Sequence, residues 1–256
     1  MRLIWIASTN LALALSVAPA AILGLWTTTP STLQQDDSTS RALLELRSSR
    51  ASIRSDAKTR LVLAGSEAVG PVMALLSELL ESASKPPVSI EHQPSRPLRM
   101  PFEDGSEDPN IWRMINDCCD VLGALRAAWS VGLLIRVVEV RCTREIVSLS
   151  RRPNEISAIA LIGKPADAAL IEELKTAPQR YLVGLTRSES LWYWEGKVFE
   201  IQMQMSEALS RVGDSGTIEA LEALLRSDGD YGRKWRVIVE GTIARIATRS
   251  GLLIHR

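Results

Sequence analysis

The chain has 256 residues, and its 30 lysines and arginines balance 30 aspartates and glutamates, so no net field steers it toward nucleic acid or an anionic surface. Apolar residues make up 46% and aromatics only 5%, an aliphatic mixture that excludes disorder over the whole chain and suits many small packed helices. Two histidines and three cysteines are too few to build a histidine triad, a His-ligated metal centre or a disulfide framework.

Residues 1–26 join a positive start, Met1 and Arg2, to a nearly unbroken apolar run from Leu3 to Trp26. This is the pattern of a signal anchor or a signal peptide. Ala18-Pro19-Ala20 has cleavage-type spacing, yet Ile22 to Trp26 prolongs the run to roughly the 20 residues that cross a bilayer as a helix. Arg2 on one side and Asp36 and Asp37 on the other predict a single-pass protein of the cell membrane with its body outside the cytoplasm. Cleavage would instead leave the body secreted or periplasmic, and a buried first helix of a soluble protein is the structural alternative. Residues 27–38 read as a polar tether, and residues 39–256 as one helical domain.

Within that domain, Arg41 to Leu63 predicts one long or two short helices ending at Gly65, with Ser66 as the next N-cap. Glu67 to Ser82 carries Val69, Val72, Leu76, Leu79 and Leu80 at helical spacing, with Pro71 tolerated in the first turns. Residues 85–110 contain Pro86, Pro87, Pro94, Pro97, Pro101 and Pro109 and predict a long surface loop. Asp108-Pro109 then suits a helix start, followed by a stripe of Ile111, Ile115, Cys118, Cys119, Leu122 and Leu125. Ala127 to Val140 reads as a buried helix that Arg144 to Leu149 extends or follows, until Pro153 breaks it.

Asn154 to Ile162 and Pro165 to Ala177 predict a further pair around Gly163, followed by an insertion over Gln179 to Lys197. Leu191 to Met205 is ambiguous, since Phe199, Ile201, Met203 and Met205 alternate as in a strand. Helix is preferred, because Val198, Ile201, Met205, Ala208, Leu209 and Val212 form one continuous stripe. Gly213-Asp214 turns the chain into a helix over Gly216 to Arg226. The last helix, Arg233 to Thr248, shows Trp235, Ile238, Val239, Thr242, Ile243 and Ile246 on its apolar side.

Four stretches beginning at Leu63, Leu122, Leu161 and Leu209 share an order: helix end, glycine turn, small residues, leucine-rich second helix. Gly65, Gly123, Gly163 and Gly213 read as the turn residues that let the first helix of each pair end. On these stretches, residues 41–250 resemble the bacterial HEAT-like repeat family, including the group related to phycobilisome lyase repeats. The resemblance implies an all-α, irregular α-solenoid of antiparallel helix pairs whose concave face binds other proteins. A compact helical bundle is the alternative architecture.

Candidate chemistry is sparse. Cys118, Cys119 and Cys142 read as core residues, although Cys142 could bridge to one of the adjacent pair outside the cytoplasm. Glu103 to Asp108 is acidic but lacks the ligand alternation of an EF-hand loop, and Asp228 to Gly232 reads as a turn. The strongest binding candidates are Trp192, Tyr193 and Trp194, since three successive aromatics in a short insertion cannot all face one core. Packing beneath their own loop, or at a membrane surface, is the bland reading. Arg136, Arg141, Arg144, Arg151 and Arg152 cluster at one helix boundary, where Arg151 and Arg152 could meet a partner and a solvated basic face is the default. The same default applies from Arg41 to Arg60. The expectation is therefore a membrane-anchored scaffold that binds another envelope protein, with no catalytic residue, cofactor, metal, nucleic acid or small-molecule substrate. An enzyme or chromophore-handling protein akin to the lyase-related repeats is the alternative, and it would need a reactive thiol or a carboxylate in a cleft.

Overall fold

A computed structural model describes residues 32–84, 109–143, 153–182, 189–227 and 232–252, and among them every regular element is helical. The chain runs through α1 (Thr32–Glu45), α2 (Ala51–Ala64), α3 (Ser66–Ser84), α4 (Pro109–Ala124), α5 (Val131–Thr143), α6 (Asn154–Ile162), α7 (Asp167–Leu182), α8 (Glu189–Val212), α9 (Ser215–Arg226) and α10 (Gly232–Ser250). Short 3-10 turns at Ala128–Ser130 and Lys164–Ala166 lead into α5 and α7. The apolar segment 1–26, most of the proline-rich loop, both histidines, the acidic run Glu103 to Asp108 and the turn at Asp228 to Tyr231 lie outside the described residues. No described helix is long and apolar enough to cross a membrane.

Several boundaries differ from the sequence reading. Arg41 to Leu63 divides into two helices, and α1 already begins at Thr32, inside the span read as a tether. The strand alternative for Leu191 to Met205 is overturned, because α8 is one continuous helix from Glu189. The insertion at Gln179 to Lys197 shrinks accordingly: its first residues finish α7 and its last ones begin α8.

The four glycines do different jobs. Gly65 (φ 68°, ψ −137°) and Gly163 (φ 81°, ψ −147°) close α2 and α6 in a backbone region that essentially only glycine enters. Gly65 thereby takes the cap place expected for Ser66, which is already the first residue of α3. Gly123 is no turn residue; it lies inside α4, and a Cβ there would sit 2.6 Å from the Cα of Ala158 on α6. The turn after α4 is made by Arg126, at φ 49°. Its amide bonds to the Gly123 carbonyl (3.0 Å) and that of Ala127 to Leu122 (3.2 Å), the paired bonds of a Schellman closure without the usual glycine. Gly213 is required by crowding, since a Cβ would meet Ile246 Cδ1 at 2.8 Å and the Leu209 carbonyl at 2.9 Å. Asp214 then caps α9 through a reciprocal capping box with Thr217.

One continuous apolar cluster extends from Ala42 on α1 to Ile246 on α10, with Leu61, Leu76, Ile115, Leu122, Ile156, Leu174, Ile201 and Met205 fully buried. Substantial packing joins helices no more than three places apart in chain order. Polar contacts fix the register between alternate helices. Arg54 Nε meets Asp117 at 2.9 Å, and Lys58 Nζ meets Asp117 and Asp120 at 2.9 Å each. Asn154 Nδ2 donates to Asp120 Oδ1 at 2.9 Å, one turn before Gly123 meets Ala158. Positions therefore ascend together along α2, α4 and α6, so these three helices run in the same direction.

A proline organises the other half. Pro178 lies inside α7 and has no amide to give the Leu174 carbonyl one turn earlier. That carbonyl accepts instead from Gln202 Nε2 on α8 (3.3 Å) and Trp235 Nε1 on α10 (3.1 Å). A defect in one helix thus becomes a three-helix junction, because a buried carbonyl must find a partner.

Candidate interaction surface

The basic residues singled out in the sequence are mostly spoken for. Arg141 on α5 forms a two-point pair with Glu155 on α6 (2.7 and 3.3 Å), donates to Asn116 Oδ1 (2.7 Å), and lies 4.6 Å over the Trp112 ring. All the geometry a guanidinium prefers is satisfied inside the protein. Its reading as part of a solvated basic face is corrected: this arginine ties α4, α5 and α6 together. Arg136 faces Glu139, Arg54 and Lys58 face Asp117, and Arg60 and Arg41 both face Glu45. Arg144, Arg151 and Arg152 lie outside the described residues.

The aromatic candidates fall on α8 and not on a loop. The backbone at Trp192 and Tyr193 belongs to its first turns, and their side chains lie outside the described residues. Trp194 is half-buried. Beyond it, the side of α8 carrying Val198, Ile201, Gln202, Met205, Ser206 and Leu209 is buried. The flank next to it leaves Phe199 and Met203, one turn apart, 41% and 39% exposed. Sequence reasoning missed this pair. The available signal was that both residues stand off the apolar stripe while being too greasy for a solvated face. Lys197 and Glu200 on the same helix lie 3.6 Å from each other.

Three other exposed apolar side chains sit near turns, Leu63 and Leu161 two residues before Gly65 and Gly163 and Trp129 in the 3-10 turn after α4, while Val237 is exposed within α10. Because α2, α4 and α6 run in one direction, Leu63 and Leu161 lie toward the same end of these helices.

Thiol chemistry has no foothold here. Cys118, Cys119 and Cys142 are all buried and unbridged, so the bridge considered for Cys142 is not formed. Burial is the main force that pushes the thiols of Cys118 and Cys142 up to about 12, and that raises Cys119 as well. They stay protonated and non-nucleophilic. No metal-binding group of three or more histidine, cysteine or acidic residues occurs among the described residues. Comparisons of the chain with protein families, with curated proteins and with solved structures return no match.

Proposed function

We propose that the chain is an irregular α-solenoid of the HEAT-like kind, held at a membrane by its first 26 residues with its body outside the cytoplasm, and that it binds another envelope protein. Support for the architecture comes from substantial packing that joins helices close in chain order, and from α2, α4 and α6 running in one direction. A compact bundle would bring distant helices together. In this reading each glycine or Schellman turn closes an antiparallel pair, and each pair shelters the apolar side of the next.

The observation that carries the binding role is the exposed Phe199 and Met203 on α8, continuous in sequence with Trp192, Tyr193 and Trp194. A flexible methionine beside aromatics is the composition of a protein-binding anchor. Photo-crosslinkers placed at Phe199 and Met203 of the full-length chain in its membrane should trap one protein species, while a crosslinker at exposed Glu219 on α9 should not. Trp192→Ala with Trp194→Ala should abolish the trapping without altering the circular dichroism. Equal capture at all three positions, or capture unaffected by the double substitution, would refute the assignment of this face. A reporter active only outside the cytoplasm, fused after Leu252, tests the topology separately.

A further inference from the structure

Glu139 on α5 and Glu173 on α7 are sealed from water, with side chains 4% and 7% exposed. One oxygen of each is engaged: Arg136 Nη1 donates to Glu139 Oε2 at 3.1 Å, and Arg180 Nη2 donates to Glu173 Oε2. The other oxygens, Glu139 Oε1 and Glu173 Oε1, have no hydrogen-bond partner. Arg180 Nη1 lies 3.0 Å from Glu139 Oε1, an ion-pair distance without the alignment of a hydrogen bond. Both carboxyl groups lie against the one guanidinium of Arg180, and Glu139 is also within side-chain hydrogen-bonding reach of Glu173; two buried carboxyls so placed, each with an oxygen that accepts no aligned hydrogen bond, are suited to hold one proton between them.

We propose that Glu139 and Glu173 share one proton between their Oε1 atoms, a carboxyl–carboxylate hydrogen bond that clamps α5 to α7 and is lost as pH rises. The competing arrangement keeps both ionised against the two arginines. Arg136 and Arg180 are, however, 55% and 47% exposed, so water screens their charge while the carboxylates have no such relief. The Glu173 carboxyl accordingly stands above the usual glutamate range, raised first by burial and next by Glu139, with Arg180 opposing.

Charged groups on the surrounding elements do not replace the proton. Glu155 of α6 is taken by Arg141, and Lys197 and Glu200 of α8 lie beside each other and act on Cys142. Glu78 of α3 pairs with Arg47, and Glu67 and Glu81 of that helix are exposed. On α7 itself Lys175 faces Glu172, Asp167 bonds to Thr217, and Lys164 before it pairs with Asp214. The direction of the pH effect follows. A carboxyl raised in the folded state contributes stability fully below its unfolded value, and that contribution fades as pH rises through the folded value.

Infrared spectroscopy of the full chain in detergent at about pH 6, where ordinary glutamates are ionised, should show the carbonyl band of a protonated carboxyl. The band should disappear in both Glu173→Gln and Glu139→Gln and persist in Asp167→Asn, which controls for the other raised acid. Between about pH 5 and about pH 8 the wild-type thermal midpoint should fall relative to Glu173→Gln, whose amide can donate permanently to Glu139. Absence of the band from the wild type, or its survival in both glutamine variants, overturns the proposal. Should neither variant fold, titration of the wild-type band decides alone, since its absence at about pH 6 leaves no shared proton.

Discussion

Replacing Gly123 with alanine sets two effects of known size against each other. In a helix interior the change is worth about 1 kcal/mol in favour of alanine, because glycine loses more backbone entropy on folding. At this position the new Cβ would lie 2.6 Å from Ala158 Cα and 2.9 Å from Ala158 Cβ, where carbon atoms prefer about 3.5–4.0 Å. The obstacle is backbone, so α4 and α6 must separate by roughly 1 Å, and overpacking of this kind costs about 1–3 kcal/mol. With the rigid atom deciding for the upper part of that range, the net loss is about 1–2 kcal/mol. Gly132 on α5 and Gly241 on α10 supply the contrast, since a Cβ at either meets nothing within 4 Å. Alanine there should stabilise by about 0.5–1 kcal/mol. Urea unfolding followed by far-UV circular dichroism measures all three, provided the m-value is unchanged. A Gly123→Ala protein as stable as the wild type would refute the close α4–α6 approach, and losses at Gly132 and Gly241 would refute the reasoning on open space.

Arg126→Gly should raise stability by about 0.5–1 kcal/mol, because it relieves a left-handed residue at the α4 closure; the same urea assay reads it, and a loss would mean that the arginine side chain is needed there. Trp235→Phe should cost about 1 kcal/mol beyond any packing change, by removing one donor to the Leu174 carbonyl. Adding Gln202→Leu strands that carbonyl, and the double loss should exceed the sum of the singles, as a double-mutant cycle would show. Gly163→Ala should cost about 1–3 kcal/mol in backbone strain although its Cβ has open space. In the native protein at about pH 8, a thiol reagent should leave all three cysteines unlabelled, and unfolding should make them react; rapid native labelling would contradict their burial.

How far the fold could be read in advance depended on where the deciding contact lay. Apolar spacing identified α3, α6, α9 and α10 nearly to their ends, because a helix that buries one side must repeat every three to four residues whatever it packs against. The same spacing gave the inward side of α8, with Val198, Ile201, Met205 and Leu209 all buried. The candidate surface was only partly legible. Its aromatic start was visible as an oddity of composition, while Phe199 and Met203 could be recognised as outward only once α8 was known to be one continuous helix with its neighbouring side packed.

What the amino-acid order determined by itself was local: helical type and the glycine-only closures at Gly65 and Gly163, which depend on neighbours within a few positions. Tertiary structure decided which charges are structural and which glycines are spacers. Arg141 and Glu155 are far enough apart in sequence, and Gly123 and Ala158 farther still, that only packing makes them neighbours. The burial of Glu139 and Glu173, each with an oxygen that accepts no hydrogen bond, is likewise invisible in a chain where glutamate is usually a solvated residue. Burial, which converts a charge from a surface ornament into a constraint, is a property of the assembled helices and of no single segment.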